Sequence, residues 1–243
     1  MSYAVIVDLE TTGLEPQTDE IIEIGLLEFR WQEGEEPQIL RTYGGLQEPR
    51  QPLTETISQI TGLRDNDLRG EAIDWAIVAS IMQRSELIIA HNARFDRSFL
   101  EANPHYQKPS GRWACSQNHI AWGDHGFKTR ALNYLACDQG FVNPFAHRAV
   151  FDCATTFRVI QSHLTELAAT SKLKEFEFAA YGAPFEVKDT LKTRGYRWDP
   201  GRRVWAKRIF ENKLEQERQF LEAEVYKGHA RHQESAISEA HSL

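Results

Sequence analysis

No run of apolar residues in the 243-residue chain is long enough to cross a membrane. The first ten residues, MSYAVIVDLE, lack the basic stretch and small-residue cleavage site of a signal peptide, and read as a first strand. Cysteine is scarce. Cys115, Cys137 and Cys153 are odd in number and widely spaced, which excludes a disulfide framework and a CxxC metal site and reads as buried thiols in a cytoplasmic protein. An excess of positive charge is also missing: 28 Lys and Arg stand against 35 Asp and Glu, a net charge of −7. That argues against a general nucleic-acid coat and leaves room for a nucleic-acid enzyme whose site carries metal ions. No internal repeat is visible.

What is present is ordinary for a globular chain, with 41% hydrophobic and 26% charged residues. The length suits one domain with a full core plus a smaller appendage. Residues 172–208 hold ten Lys and Arg against five Asp and Glu, while the rest of the chain is strongly acidic. Three regions are expected: 1–168, a basic accessory module at 173–227 (strand, helix, hairpin, helix), and a disordered tail at 228–243. In the first region, strands are expected at Tyr3 to Asp8, Ile21 to Trp31, Ile39 to Gly44, Glu86 to Ala90 and Arg112 to Ser116. Helices are expected over Ile73 to Met82, from Phe95, around Thr129 to Gln139, and from Ala149 to Leu167. The last shows apolar residues at Val150, Cys153, Phe157, Ile160 and Leu164, three and four apart. Strands alternating with helices imply an α/β domain.

"VDLETTGL" places Asp8 and Glu10 at the mouth of the first strand, where i and i+2 share a face. "AHNARFDRSFL" places Asp96 near a helix start, and "HRAVFDCATTF" places Asp152 in the first turns of a long helix. Taken singly, each acid has an ordinary explanation: a solvated strand end, or an acid favoured by the helix dipole. Four brought together would repel one another, and divalent cations would remove that repulsion. Oxygen-only ligands suit Mg²⁺ or Mn²⁺. Two such ions roughly 3.5–4 Å apart stabilise the attacking and leaving oxygens of an in-line displacement at phosphorus. With a helix starting near Ala149, His147 lies in the preceding loop and can swing over the site as a general base, although a lone loop histidine is often only a surface residue.

"DLETTG", "HNARFD" and "HRAVFD", in this order, resemble the three motifs of the DEDDh 3′→5′ exonucleases, and "ITGLRDNDLRG" resembles a further segment of that family. The resemblance covers roughly residues 1–168. It implies a ribonuclease H-like mixed five-stranded sheet flanked by helices, to which the C-terminal region adds a small α+β appendage. It implies ligation of two Mg²⁺ (or Mn²⁺) by Asp8, Glu10, Asp96 and Asp152, with His147 as general base, and release of nucleoside 5′-monophosphates from 3′ ends; single-stranded DNA is the expected substrate, although "DLETTG" does not decide between DNA and RNA. Thr11, Thr12, Leu14, Asn92 and Phe95 are the expected substrate contacts. "ACSQNH" departs from the family's usual Asp-Thr after the fifth strand. A DNA polymerase or repair partner fits the resemblance; a membrane does not. Alternatives are an RNA 3′-end or oligoribonucleotide exonuclease, and a non-catalytic 3′-end-binding or polymerase-associated module.

In the appendage, "YRWDPGRRVWAKR" reads as a hairpin in which Trp198 and Trp205 pair. Arg202, Arg203, Lys207 and Trp198 are its expected nucleic-acid contacts. His229 and His232 read as solvated.

Overall fold

In the computed structural model, residues 2–228 and 231–237 are described. Two compact units divide at Ser171 and Lys172.

The first unit opens with an antiparallel meander, β1 (Ser2–Thr11), β2 (Ile21–Trp31) and β3 (Gln38–Leu46). Helices α1 (Glu55–Thr61), α2 (Asp65–Leu68) and α3 (Trp75–Met82) follow. Then come β4 (Leu87–Ala90), α4 (Ala93–Ala102), β5 (Arg112–Cys115), α5 (Leu132–Asp138), α6 (Ala149–Ile160) and α7 (Leu164–Thr170). The five strands form one mixed sheet in the order β3-β2-β1-β4-β5, with β1, β4 and β5 parallel. This is the ribonuclease H-like sheet the motifs implied.

Alternation along β1 builds two cores. Val5, Val7 and Leu9 pack with α3 and α4, whereas Ala4 and Ile6 pack with α5, α6 and α7. Asp8 and Glu10 continue the second series, so the alternation that fills the core under α6 aims both acids toward it.

A glycine row seats α6. Asp8 pairs with Gly25 on β2, and Gly25 pairs with Gly44 on β3. A Cβ on Gly25 would lie 2.4 Å from the Ala149 carbonyl carbon, and one on Gly44 would lie 2.7 Å from Val150 Cγ2. The missing side chains let the first turn of α6 settle onto the sheet beside Asp8. Gly25→Ala is therefore expected to cost about 1–3 kcal/mol by overpacking. A thermal melt should show a fall of roughly 2–4 °C per kcal/mol. An unchanged melting temperature would mean that α6 is not seated by this contact.

Several elements differ from the sequence reading. One helix was expected from Ala149 to Leu167; α6 instead ends at Ile160, and a 3₁₀ turn (Gln161–His163) precedes α7. The Val159 carbonyl, which a continuous helix would pair with the His163 N–H, accepts from Gln139 Nε2 at 3.1 Å. Helix α5 starts three residues later than Thr129, because Ala131 is extended and its N–H bonds to Thr129 Oγ1. Cys115 and Cys153 are buried, but Cys137 is exposed on the outer side of α5.

The second unit contains β6 (Glu175–Ala180), α8 (Lys188–Thr193), β7 (Arg197–Asp199), β8 (Val204–Phe210), α9 (Leu214–Phe220) with a π turn (Leu221–Val225), and β9 (His232–Ala236). Its sheet is antiparallel, in the order β7-β8-β6-β9. Gly195, at φ 94°, takes the left-handed position after α8. The tail expected to be disordered from residue 228 supplies β9. Its residues 232–236 pair with β6, Glu234 binds Arg218 through both oxygens at 2.7 Å, and the His232 ring stacks 5.4 Å from Phe178. His232 is thus partly buried, not solvated; His229 lies outside the described residues.

Candidate active site

The parallel strands β1 and β4 end at the same edge of the sheet, where the two packed layers meet and ligands of α/β sheets collect. A cleft of ≈ 630 Å³ opens there, lined by Asp8, Glu10, Thr11, Leu14, Phe95, His147 and Asp152 among others. Asp8 and Glu10 enter from β1. Asp152 enters from α6, one turn above the seat provided by Gly25. Asp96, on α4, does not line the cleft; it is buried behind it and accepts the Leu9 N–H at 3.1 Å through Oδ1. That bond fastens the start of α4 to the end of β1, right between the two acids of the strand.

His147 stands in the loop before α6 at φ 62°, a left-handed conformation that histidine tolerates better than most residues. Its backbone N–H donates to Asp152 Oδ2 at 2.7 Å, and Asn143 Nδ2 donates to Asp152 Oδ1 at 2.8 Å. Asp152 therefore holds the loop that carries the histidine. One ligand atom each from Glu10, His147 and Asp152 lies within 4.8 Å of the others.

The acids repel one another. Burial first, then Asp96, Asp152, Glu10 and Glu23, hold the Asp8 carboxyl well above the ordinary range. Burial and the charges of Asp152, Glu23 and Asp96 push Glu10 up to about 8. Burial pushes Asp96 up to about 8, against hydrogen bonds from its own and the Leu9 backbone. Burial also raises Asp152, against the His147 and Asn143 donors. Arg148 offsets part of the charge on Glu10, but its guanidinium is engaged with buried Glu23 at 3.1 Å. An oxygen-only set of mutually repelling carboxylates fits a hard divalent cation such as Mg²⁺ or Mn²⁺.

This charge balance has a consequence for pH. Carboxyls raised to about 8 in the folded state hold protons that the unfolded chain, titrating near 4, has released. Their stabilisation is complete below about pH 4 and is lost as pH rises toward about 8. In EDTA, the melting temperature is expected to fall by ~5 °C or more between pH 5 and pH 8. Adding Mg²⁺ or Mn²⁺ at pH 8 should restore it. A metal-free protein that melts higher at pH 8 would contradict this charge balance.

The remaining expected contacts divide. Thr11 lines the cleft and donates its hydroxyl to Gly13 O at 2.6 Å. Leu14 is 78% exposed at the rim, and Phe95 both lines the cleft and packs 4.9 Å from buried Phe99. Thr12 is turned to the local turn: its hydroxyl accepts the Glu20 N–H at 2.9 Å. Asn92 caps α4 at φ 74° and is not among the lining residues. In the second unit, Arg202 pairs with Glu177 and Asp199, and Lys207 Nζ with Glu217 at 3.1 Å, so both expected phosphate contacts are occupied by acids. Arg203 forms no ion pair among the described residues, and Trp198, paired with Trp205 at 5.6 Å, is half exposed.

The sequence reading missed three features. Glu23 stands opposite Glu10 in the β1–β2 register and is neutralised by Arg148; an acid inside the apolar run "IIEIG" was its signal. Residues of α1 and the start of α5, including Ile60 and Tyr134, form exposed apolar walls of the cleft. His91 lines it as well: Nε2 donates to the Arg130 carbonyl at 2.8 Å, so Nδ1 accepts from the Ser116 hydroxyl at 2.8 Å. Burial lowers His91 to about 4, which keeps that tautomer neutral.

Fold and cleft together define a DEDDh-type domain on a ribonuclease H-like sheet. The chain belongs to the exonuclease family, whose model matches residues 5–160. A PolC-type DNA polymerase III from Thermotoga petrophila is 38% identical over 98 residues, 40% of this chain and 7% of the polymerase. The chain thus spans a small fraction of that relative. Among solved structures, the zinc-bound E. coli ExoI–ssDNA complex superimposes with a TM-score of 0.61 at 13% identity, covering 88% of this chain and 63% of that one. A 3′-exonuclease recognising a histone mRNA stem-loop gives 0.55 at 15% identity, covering 68% and 64%. At these identities the two structures share the fold. Among the described residues, no helix is long and apolar enough to cross a membrane.

Proposed function

We propose that this chain is a metal-dependent 3′→5′ exonuclease acting on single-stranded DNA. The observation that carries the reading is the convergence of Glu10, His147 and Asp152 within 4.8 Å beside Asp8, in an acid-lined cleft. Asp8, Glu10, Asp96 and Asp152 would hold two Mg²⁺ or Mn²⁺. When bound, such ions polarise the phosphodiester and make water a stronger nucleophile at neutral pH. The His147 ring takes the proton of the attacking water, and Asp152 holds the loop that carries it through the His147 backbone N–H. Leu14, Ile60 and Tyr134 offer apolar surface to bases, which is accessible to unpaired bases and not to those stacked in a duplex. Thr11, which lines the cleft, would contact the terminal sugar. Cleavage yields nucleoside 5′-monophosphates. The PolC-type relatives support DNA as substrate and a polymerase as partner.

Equal concentrations of 5′-labelled single-stranded DNA, RNA and duplex DNA, each with Mg²⁺ or EDTA, test the reading. Single-stranded DNA should be shortened fastest, and only with metal. Faster shortening of RNA would replace the substrate; binding without degradation of any strand would favour a 3′-end-binding module.

A further inference from the structure

A second group of metal-ligating side chains lies in the first unit, apart from the carboxylate cleft. His125 belongs to the loop 116–131 that follows β5. His163 closes the 3₁₀ turn before α7, and Glu166 is in its first turn. Three residues apart on helical backbone, His163 and Glu166 share a face. His125 Nε2 is 2.7 Å from Glu166 Oε2, and His163 Nδ1 is 3.9 Å from the same oxygen. The two imidazole centroids are 4.4 Å apart and the rings are tilted by 54°. One ligand atom from each of the three residues lies within 4.8 Å of the others.

The group is braced from outside. The Ala121 N–H donates to Glu166 Oε1 at 2.8 Å, which orients the carboxylate and leaves Oε2 toward the histidines. Trp122, buried, meets the His163 ring edge-on at 5.0 Å. Such supports are what fixes ligands in metal sites. A plain His–Glu hydrogen bond accounts for His125. It leaves His163 beyond hydrogen-bond reach of the oxygen it approaches. A cation between the three serves all of them.

We propose that His125, His163 and Glu166 form a site for a borderline divalent transition ion of the Zn²⁺ class. Two imidazole nitrogens and one carboxylate oxygen suit Zn²⁺, with exposed His125 leaving a fourth position to water. The oxygen-only cleft suits Mg²⁺ or Mn²⁺ instead. The ion ties loop 116–131 to α7, and that loop runs directly into Ala131 to Tyr134 of the cleft wall. Its far end is held separately, through the Arg130 carbonyl and His91. The site stands whether or not the chain cleaves nucleic acid.

The test uses untagged full-length protein carrying Asp8→Asn and Asp152→Asn, so that the cleft does not compete, with Mg²⁺ in excess. Calorimetric titration with Zn²⁺ should find one equivalent. Adding His125→Ala or Glu166→Gln should weaken it at least ~10-fold. Zn²⁺ should raise the melting temperature only where the cluster is intact, while melts in EDTA confirm that each variant is folded. Co²⁺ in place of Zn²⁺ should give the visible absorption of a four- or five-coordinate ion. No Zn²⁺ binding, equal affinity without His125 and Glu166, or an octahedral Co²⁺ spectrum would overturn the assignment.

Discussion

Asp8→Asn is expected to lower nucleotide release by at least ~10³-fold while leaving the protein folded. Asparagine has the shape of aspartate and lacks its charge. Asp8 stands among Asp96, Asp152, Glu10 and Glu23, all of which raise its pKa. Removing its charge takes away a carboxylate that stands amid the other acids of the set. The same change relieves repulsion in the absence of metal. The variant should therefore melt at or above the native temperature in EDTA, and gain less from added Mg²⁺. Rate and melting temperature then move in opposite directions, which damage to the fold would not produce. Turnover within tenfold of the native chain would remove Asp8 from the metal-binding set.

His147→Asn should cost about 10²–10⁴-fold in kcat, the range of a lost general base. Asparagine is chosen because it accepts the left-handed backbone at φ 62°. The contact from the His147 N–H to Asp152 Oδ2 belongs to the backbone and survives the substitution. The loop should stay in place, KM should change little, and the pH profile should lose the limb due to the base. A large rise in KM with kcat preserved would make His147 a substrate-binding residue. A rate unaffected by the change would leave proton transfer to solvent.

The acids that line the cleft were easier to read from the sequence than its walls. Asp8 and Glu10 were legible as a same-face pair because a strand has a period of two, and β1 does continue through Glu10. Asp96 was legible from a helix start behind the apolar strand "ELII", and Asp152 from its place in the first turns of a long helix beside that helix's apolar stripe. The fold followed from the alternation of strands and helices and from the three motifs. What escaped depends on contacts distant in sequence. Nothing near Gly25 says that Ala149 will rest on it, and nothing near Val159 says that Gln139 will take its carbonyl. β9 is a polar segment, HQESA, held by pairing to β6 and by Arg218, so no apolar alternation announces it. Two of the acids that pair with Arg202 and Lys207, Glu177 and Glu217, lie 25 and 10 residues away in sequence, so these ion pairs were not legible from the local composition. Thr12 looked like a substrate contact because its hydrogen bond to Glu20 closes a turn whose geometry composition does not give.

Direction of attack is the central claim, and end-labelling reads it directly. One single-stranded DNA is labelled at its 3′ end and, separately, at its 5′ end. Both are incubated with the full chain in Mg²⁺. The 3′ label is expected to leave at once as a mononucleotide, while the 5′-labelled strand shortens stepwise. Both reactions should stop in EDTA and in Asp152→Ala. Immediate release of the 5′ label, internal cleavage, or hydrolysis that persists in EDTA would contradict the account.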